Sequence, residues 1–126
     1  MKRILITDSH KHLRLLYKTE FEADGYLVDT AADAGETLRL LERKSYDLLI
    51  LDFLNSRDEA IEELRKLLSV ISGLPVIVNS SYDSNPYSLL SWNTDSYVFK
   101  SSDLSELKQK VEESLGETVF VLEAAR

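Results

Sequence analysis

Five polar residues with side chains suited to phosphoryl chemistry each follow a short apolar run of the chain. They are Asp8 and Ser9, Asp52, Ser80 and Lys100. A carboxylate can act as a nucleophile toward phosphorus, and Mg²⁺ prefers one or two carboxylates together with water and phosphate oxygens. An ammonium is a point-charge partner for phosphate, and a hydroxyl can donate a hydrogen bond to a phosphoryl oxygen. This set of residue types therefore indicates an aspartyl phosphate formed beside a Mg²⁺ ion.

Four of these five residues would have distinct roles in such chemistry. Asp52 would be the nucleophile, Asp8 a magnesium ligand (direct or through water), Lys100 the phosphate clamp and Ser80 the responding hydroxyl. Taken singly, an Asp at the end of a strand is more often a turn residue or a helix cap. Lys100 resists that explanation, because it precedes a predicted helix N-terminus, where a cation is unfavourable.

The elements that must position these residues alternate between short strands and amphipathic helices. Apolar runs predict five strands, and apolar residues at helical spacing predict a helix after each. The predicted strands are Ile4–Ile6, Tyr26–Thr30, Leu48–Leu51, Val76–Val78 and Tyr97–Phe99. This alternation predicts an α/β fold, a flavodoxin-like (βα)5 doubly wound parallel sheet with strand order 2-1-3-4-5. In such a sheet ligands bind beyond the carboxyl ends of the strands, where the five candidates stand.

Local signals predict where the helices begin and end. Asp33 with Glu36, Ser56 with Glu59, and Asp103 with Glu106 form candidate capping boxes. Asn85-Pro86 suits the start of the fourth helix, since proline is favoured at the first helical position. Gly25 and Gly73 stand where the first and third helices should end. The sequence thus predicts five helices packed around one sheet.

Composition and length narrow the classes of function. The chain has 126 residues, 22 acidic against 15 basic, for a formal charge of −7, and no cysteine. The acidic balance disfavours nucleic acid and anionic membrane surfaces as partners, and the lack of cysteine excludes disulfides and Cys-based zinc sites. No apolar run approaches the roughly 20 residues of a membrane span, and the N-terminus lacks signal-peptide features. We therefore expect a cytoplasmic protein.

The βα units account for the chain up to about residue 116. We expect a single domain over residues 1–116 and a C-terminal tail over residues 117–126. The tail contains the apolar run Val119–Leu122, which favours self-contact or a homodimer. We expect no DNA-binding or catalytic domain beside this one, so the protein would act through contact with another protein.

The ordered set of motifs resembles the receiver domain of two-component response regulators, from about Lys2 to Leu115. The segments that carry the resemblance are Arg3–Asp8, Asp24–Tyr26, Tyr46–Asp52, Leu74–Ser81 and Tyr97–Lys100. The resemblance implies that Asp52 accepts a phosphoryl group from a histidine kinase or phosphotransfer protein. It also implies that Ser80 turns toward the phosphate and that Tyr97 swings inward. The face of the fourth helix, fifth strand and fifth helix would then contact a downstream protein.

Two departures from the family pattern leave an alternative open. Receivers usually have a second acid where this chain has Ser9, and a proline where it has Ser101. As a weak substitute for a metal-binding acid, Ser9 predicts reduced Mg²⁺ affinity. The alternative is a phosphorylation-independent pseudo-receiver that acts as a protein-interaction module.

The loop after the first strand bears on two further functions. It lacks the glycines that a flavin or nucleotide site would need, so we expect no enzymatic activity beyond Mg²⁺-dependent self-phosphorylation and autodephosphorylation at Asp52. His10 and His12 are two positions apart and do not share a helix face. We therefore expect both to be solvated residues of the first helical turn rather than metal ligands.

Overall fold

The computed structural model describes residues 1–52, 60–71, 73–80 and 96–116, in which strands and helices alternate. The strands are β1 (Arg3–Thr7), β2 (Leu27–Ala31), β3 (Leu48–Leu51), β4 (Val76–Ser80) and β5 (Ser96–Phe99); the helices are α1 (Lys11–Ala23), α2 (Ala34–Arg43), α3 (Ala60–Val70) and α4 (Ser105–Leu115). Helix α4 is the fifth helix of the sequence prediction. The predicted fourth helix at Asn85-Pro86, the Ser56–Glu59 capping box and the tail over residues 117–126 lie outside the described residues.

The five strands form one parallel sheet in the order β2-β1-β3-β4-β5, which confirms the predicted topology. β1 and β3 lie side by side, with Thr7 opposite Leu51. β4 and β5 are neighbours too, with Ser80 opposite Phe99. The strand order therefore brings the carboxyl ends of β1, β3, β4 and β5 side by side at one edge of the sheet, where this fold binds ligands.

Two apolar layers cover the sheet, because side chains along each strand alternate between its faces. One layer packs α1 and α4 against the sheet, and the other packs α2 and α3 against the opposite face. β3 and β4 are buried along their whole length, whereas β2 is partly exposed at the edge. The central strands are therefore almost entirely apolar because helices cover both faces of the sheet, as is usual for parallel sheets.

The helix ends follow the capping signals in part. At α2 the Asp33 carboxylate accepts a hydrogen bond from Glu36 N at 2.8 Å, and the Glu36 carboxylate accepts one from Ala32 N at 3.1 Å. At α4 the helix begins at Ser105 instead, and the Asp103 carboxylate accepts from both the N–H and the hydroxyl of Ser105. The short serine side chain allows this tight local turn, which moves the predicted start of the helix by one residue.

Two glycines at helix ends adopt backbone angles that other residues avoid. Gly25 after α1 has φ of 96°, and Gly116 after α4 has φ of 67°. Both values lie in the left-handed region, where a β-carbon is strained. Separately, the described helices are all too short or too polar to cross a bilayer.

Candidate functional site

Backbone hydrogen bonds place three of the predicted residues one step beyond their strands. Asp8 N donates to Ala31 O at 3.0 Å, Asp52 N donates to Thr7 O at 3.0 Å, and Lys100 N donates to Ser80 O at 2.7 Å. Each bond continues the ladder of the sheet past the strand end. The side chains of Asp8, Asp52 and Lys100 are therefore carried to the same edge by rigid strands rather than by free loops.

The Lys100 ammonium lies between the two carboxylates. Its Nζ is 2.8 Å from Asp8 Oδ2 and 2.8 Å from Asp52 Oδ2. The exposed fractions of the side chains are 1% for Asp8, 9% for Asp52 and 14% for Lys100. Two carboxylates and one ammonium leave a net negative charge in a nearly dry place. Such a place favours binding of a further cation, because a buried charge is costly unless it is paired.

The protonation of Lys100 reflects this arrangement. Burial lowers the pKa of the Lys100 ammonium, but the contacts with Asp52 and Asp8 outweigh it and leave that pKa above its usual value. Lys100 therefore stays charged over the physiological range. It is a permanent cation beside the carboxylate that the sequence assigns as the phosphoacceptor.

The other oxygen of Asp8 faces the loop that leads into α1. Asp8 Oδ1 accepts a hydrogen bond from His10 N at 2.8 Å and lies 3.1 Å from His10 Nδ1. Arg14 Nη1 donates to the Asp8 carbonyl at 2.8 Å, which ties the first turn of α1 to the same residue. His10 is solvent-exposed, as expected, but its ring contacts the Asp8 carboxylate. Sequence reasoning missed this contact because it treated His10 as part of a helix, whereas α1 begins at Lys11.

The remaining predicted residues lie around this centre. Ser80 is fully buried at the end of β4. Ser9 is exposed, with its hydroxyl 3.5 Å from His10 Nδ1. Tyr97 is half-buried and packs edge-on against Phe99, with ring centroids 4.9 Å apart. The Tyr97 hydroxyl is buried and has no hydrogen-bond partner among the residues that the structure describes.

A polar pair lies beneath the acidic edge, inside the α1–α4 layer. The hydroxyl of Tyr17 on α1 lies beside the side chain of Asn79 on β4, and both residues are almost completely buried. Burial raises the pKa of the Tyr17 hydroxyl, and this effect outweighs the opposing influence of Asn79. The sequence showed no sign of this pair, because each residue looks like an ordinary member of a helix or a strand.

The donor set fits a divalent cation. One ligand atom each from Asp8, His10 and Asp52 lies within 4.8 Å of the other two. Asp8 Oδ2 is buried and accepts no well-aligned hydrogen bond from the described residues, so its only close partner there is the Lys100 ammonium. Two carboxylates are the protein ligands that Mg²⁺ commonly takes at phosphate sites. The predicted ligands Asp8 and Asp52 are thus brought together, while Ser9 as a ligand stays a prediction.

Comparison with models of known protein families identifies the family to which the chain belongs. The model of the response regulator receiver domain matches residues 4–112. The chain belongs to the response regulator receiver family. Among curated proteins, this receiver is similar to the response regulator MprA of Mycobacterium leprae, with 30% identity over 92% of this chain and 52% of that protein. The chain spans about half the length of the curated relatives that it matches.

Solved receivers have the same architecture. The regulator TrrA of Thermotoga maritima, determined in complex with Mg²⁺-BeF, is 36% identical, with a TM-score of 0.76 over 91% of this receiver and all of that chain. A CheY-like receiver of Methanospirillum hungatei is 31% identical, with a TM-score of 0.80 over 92% of this receiver and 94% of that chain. TrrA has also been determined in complex with the histidine kinase ThkA; that match is 33% identical, with a TM-score of 0.76 over 91% of this receiver and 99% of that chain.

Proposed function

We propose that this receiver accepts a phosphoryl group on Asp52 from a histidine kinase or phosphotransfer protein and signals through a protein contact. The observation that carries the proposal is the Lys100 ammonium held 2.8 Å from both buried carboxylates. Lys108 also contacts two carboxylates, but at a more exposed place. Both carboxylates that contact Lys100 are buried and lie at the edge of the sheet where this fold binds ligands, an arrangement suited to binding a cation and a phosphoryl group.

The transfer step balances without any redox partner. A carboxylate oxygen of Asp52 attacks the phosphorus of the donor phosphohistidine, an O–P bond forms, and the P–N bond breaks with its electron pair remaining on the imidazole nitrogen. Lys100 already touches Asp52, so its ammonium can follow the charge that moves onto the phosphoryl oxygens. Phosphoryl transfer depends mainly on such positioning and charge stabilisation. The proposal includes no enzymatic activity beyond self-phosphorylation and autodephosphorylation at Asp52.

Mg²⁺ belongs to this proposal as the ion that neutralises the phosphoryl oxygens when it is bound. Asp8 and Asp52 would hold it, directly or through water. Ser9 contributes at most a neutral hydroxyl where an acid would add a charge. We therefore expect weaker Mg²⁺ binding than in receivers with a second acid at that position.

Signal output would begin at Ser80 and Tyr97. Ser80 ends β4, directly beside the backbone of Lys100, so its hydroxyl is placed to turn toward a phosphoryl group on the neighbouring strand. Tyr97, on the neighbouring strand β5, is half-buried against Phe99. The family resemblance implies that its ring turns inward when Ser80 moves toward the phosphoryl group. The strand β5 and helix α4 would carry that change to a downstream protein.

The donor would dock on the exposed face of α1. Leu15 and Leu16 on α1 are 65% and 41% exposed, which is high for leucine. Leu16 lines a shallow depression together with residues 102–105, the loop that follows Lys100. An apolar patch beside the reacting edge suits a helical protein partner that must bring a histidine to Asp52.

A phosphodonor assay tests the acceptor. The receiver is incubated with acetyl phosphate and Mg²⁺, and the intact mass is measured. We expect one phosphoryl adduct on the wild type, none on Asp52→Asn, and an unchanged adduct on the control Asp24→Asn, whose carboxylate is exposed and pairs with Lys108. Absence of the adduct from the wild type, or its persistence in Asp52→Asn, would refute phosphorylation at Asp52.

The second candidate is the pseudo-receiver, which Ser9 favours by removing a metal-binding charge. It predicts no adduct with Mg²⁺ together with partner binding that is the same for the wild type and Asp52→Asn. Phosphorylation-dependent binding in a pull-down with the cognate kinase would exclude it.

A further inference from the structure

The ring of His10 has no part in the proposed transfer of the phosphoryl group, yet it lies against the acidic edge. Its Nδ1 is 3.1 Å from Asp8 Oδ1, and its side chain is 57% exposed. The backbone N–H of the same residue donates to the same oxygen at 2.8 Å. This second bond holds the loop so that the ring faces Asp8 rather than the solvent alone.

Two of these atoms already have the spacing of ligands to one ion. Two adjacent ligands with bonds of about 2.1 Å lie about 3 Å apart around a divalent metal. The Nδ1–Oδ1 separation matches that distance, and an Asp52 oxygen lies within 4.8 Å of both atoms, so a small side-chain movement would bring it to the same ion. Asp8 presents Oδ2 to Lys100 and Oδ1 to His10, so the lysine and a metal would use different oxygens of the carboxylate.

The types of ligand atom determine which metal ion the site binds most tightly. Mg²⁺ binds oxygen and gains little from an imidazole, whereas imidazole nitrogen is a good ligand for first-row transition ions such as Co²⁺, Ni²⁺ and Zn²⁺ and a weaker one for Mn²⁺. Ser9 lacks the charged carboxylate oxygen that an acid would bring to the site, whereas His10, one residue further on, offers an imidazole nitrogen. The substitution of one ligand type for the other shifts the preference away from the magnesium ion.

We propose that Asp8, His10 and Asp52 form a site for a first-row divalent transition ion, with His10 Nδ1 as a direct ligand, and that this receiver binds such an ion in preference to Mg²⁺. The inference rests on the proposed function in one respect only: the metal supports the same phosphoacceptor. Binding itself does not require phosphoryl transfer. In the metal-free protein the same 3.1 Å contact is a hydrogen bond from Nδ1 to the carboxylate, because a carboxylate can only accept.

Mn²⁺ is the probe that tests the ligand. Electron spin echo envelope modulation of Mn²⁺ bound to the full chain detects a directly coordinated imidazole nitrogen. The chain has two histidines, so the assignment needs two variants. We expect the nitrogen signal in the wild type and in His12→Ala, and its loss in His10→Ala. His12 is the matched control because it is exposed and its ring is adjacent to that of His10, with centroids 5.8 Å apart.

Calorimetric titration with Mn²⁺ and with Mg²⁺ gives the selectivity. We expect His10→Ala to weaken Mn²⁺ binding about tenfold and Mg²⁺ binding less than about twofold. His12→Ala should change neither affinity. Circular dichroism of both variants checks that they are folded, which their exposed positions favour.

Three outcomes overturn the inference: nitrogen modulation that persists in His10→Ala, equal loss of both metals in that variant, or wild-type Mn²⁺ binding no tighter than Mg²⁺ binding. The phosphodonor assay separates this failure from failure of the proposed function. If the protein binds Mn²⁺ through His10 but is not phosphorylated, the metal site is supported and the proposed function is refuted. If the wild type and His10→Ala are phosphorylated equally well with Mg²⁺ and the protein does not prefer Mn²⁺, the proposed function is supported and the metal inference is refuted.

Discussion

Lys100 Nζ lies 2.8 Å from Asp52 Oδ2, although 48 positions of the chain separate the two residues. The same ammonium touches Asp8, so one cation serves two carboxylates that are almost fully buried. Because the pair of acids exceeds its cation by one charge, the edge is stable only while Lys100 is present. It is also an edge where a metal ion or a phosphoryl group can change the balance of charge.

Removal of the Lys100 charge should destabilise the receiver. We expect Lys100→Met to lower the free energy of unfolding by about 3 kcal/mol, because it leaves two buried carboxylates without their cation. Urea denaturation measures the change. The control is Lys108→Met, since Lys108 also contacts two carboxylates, at 3.3 and 3.2 Å, but at a more exposed place. We expect about 1 kcal/mol or less there. The double variant with Asp52→Asn should recover part of the Lys100→Met loss, and equal losses for the two lysines would contradict the prediction.

Restoring an acid at position 9 should strengthen magnesium binding. We expect Ser9→Asp to raise Mg²⁺ affinity about tenfold, because each added carboxylate increases the charge that holds the ion. Titration calorimetry measures the affinity, and Ser102→Asp is the control, since Ser102 is exposed and distant from the acidic pair in the chain. An unchanged Mg²⁺ affinity in Ser9→Asp would show that residue 9 does not face the ion.

Two tyrosine hydroxyls should have opposite effects on stability. Tyr17→Phe removes a buried hydroxyl that lies beside the polar side chain of Asn79, so we expect a loss of about 1 kcal/mol or more. Tyr97→Phe removes a buried hydroxyl that has no partner among the described residues, so we expect no loss, or a gain of up to about 1 kcal/mol. Thermal and urea unfolding of the two variants, measured in parallel, decide the comparison. A loss in Tyr97→Phe equal to that in Tyr17→Phe would mean that the Tyr97 hydroxyl is hydrogen-bonded in solution.

A charge cluster at the edge strand should make stability depend on acidity. Asp29 on β2 accepts a hydrogen bond from the Tyr46 hydroxyl at 2.7 Å and pairs with Lys44 at 3.3 Å. Burial raises the pKa of Asp29, but these contacts outweigh it and hold that pKa below the usual 3.8. A depressed carboxyl pKa contributes stability that is present above pH 3.8 and is lost as the pH falls through the lower, folded-state value.

Asp29→Asn tests that dependence. We expect the variant to be less stable than the wild type at pH 7 by about 1 kcal/mol, with the difference shrinking as the pH falls below the normal carboxyl range. Urea unfolding at a series of pH values measures it. A difference that stays constant with pH would assign the effect to packing rather than to charge.

Much of the fold follows from local patterns in the chain. The apolar run Leu48–Leu51 predicts a strand with its observed bounds, and the partial alternation after Tyr26 predicts the edge position of β2. The pairing of strands follows because parallel βα units have few permitted orders. The strand ends are placed less accurately: β1 and β4 extend one or two residues beyond their apolar runs, through Thr7 and Ser80, because ladder hydrogen bonds form through the backbone whatever the side chain is.

By itself, the sequence determined which residues reach the functional edge, since Asp8, Asp52, Ser80 and Lys100 each stand next to a strand that hydrophobic patterning identifies. Only the tertiary structure decided how they meet. The sharing of Lys100 between two acids, the contact of His10 with Asp8 and the Tyr17–Asn79 pair join side chains whose mutual distances depend on strand register, loop conformation and helix packing. A pattern of residue types carries no such distances, because they arise when separate elements pack against one another.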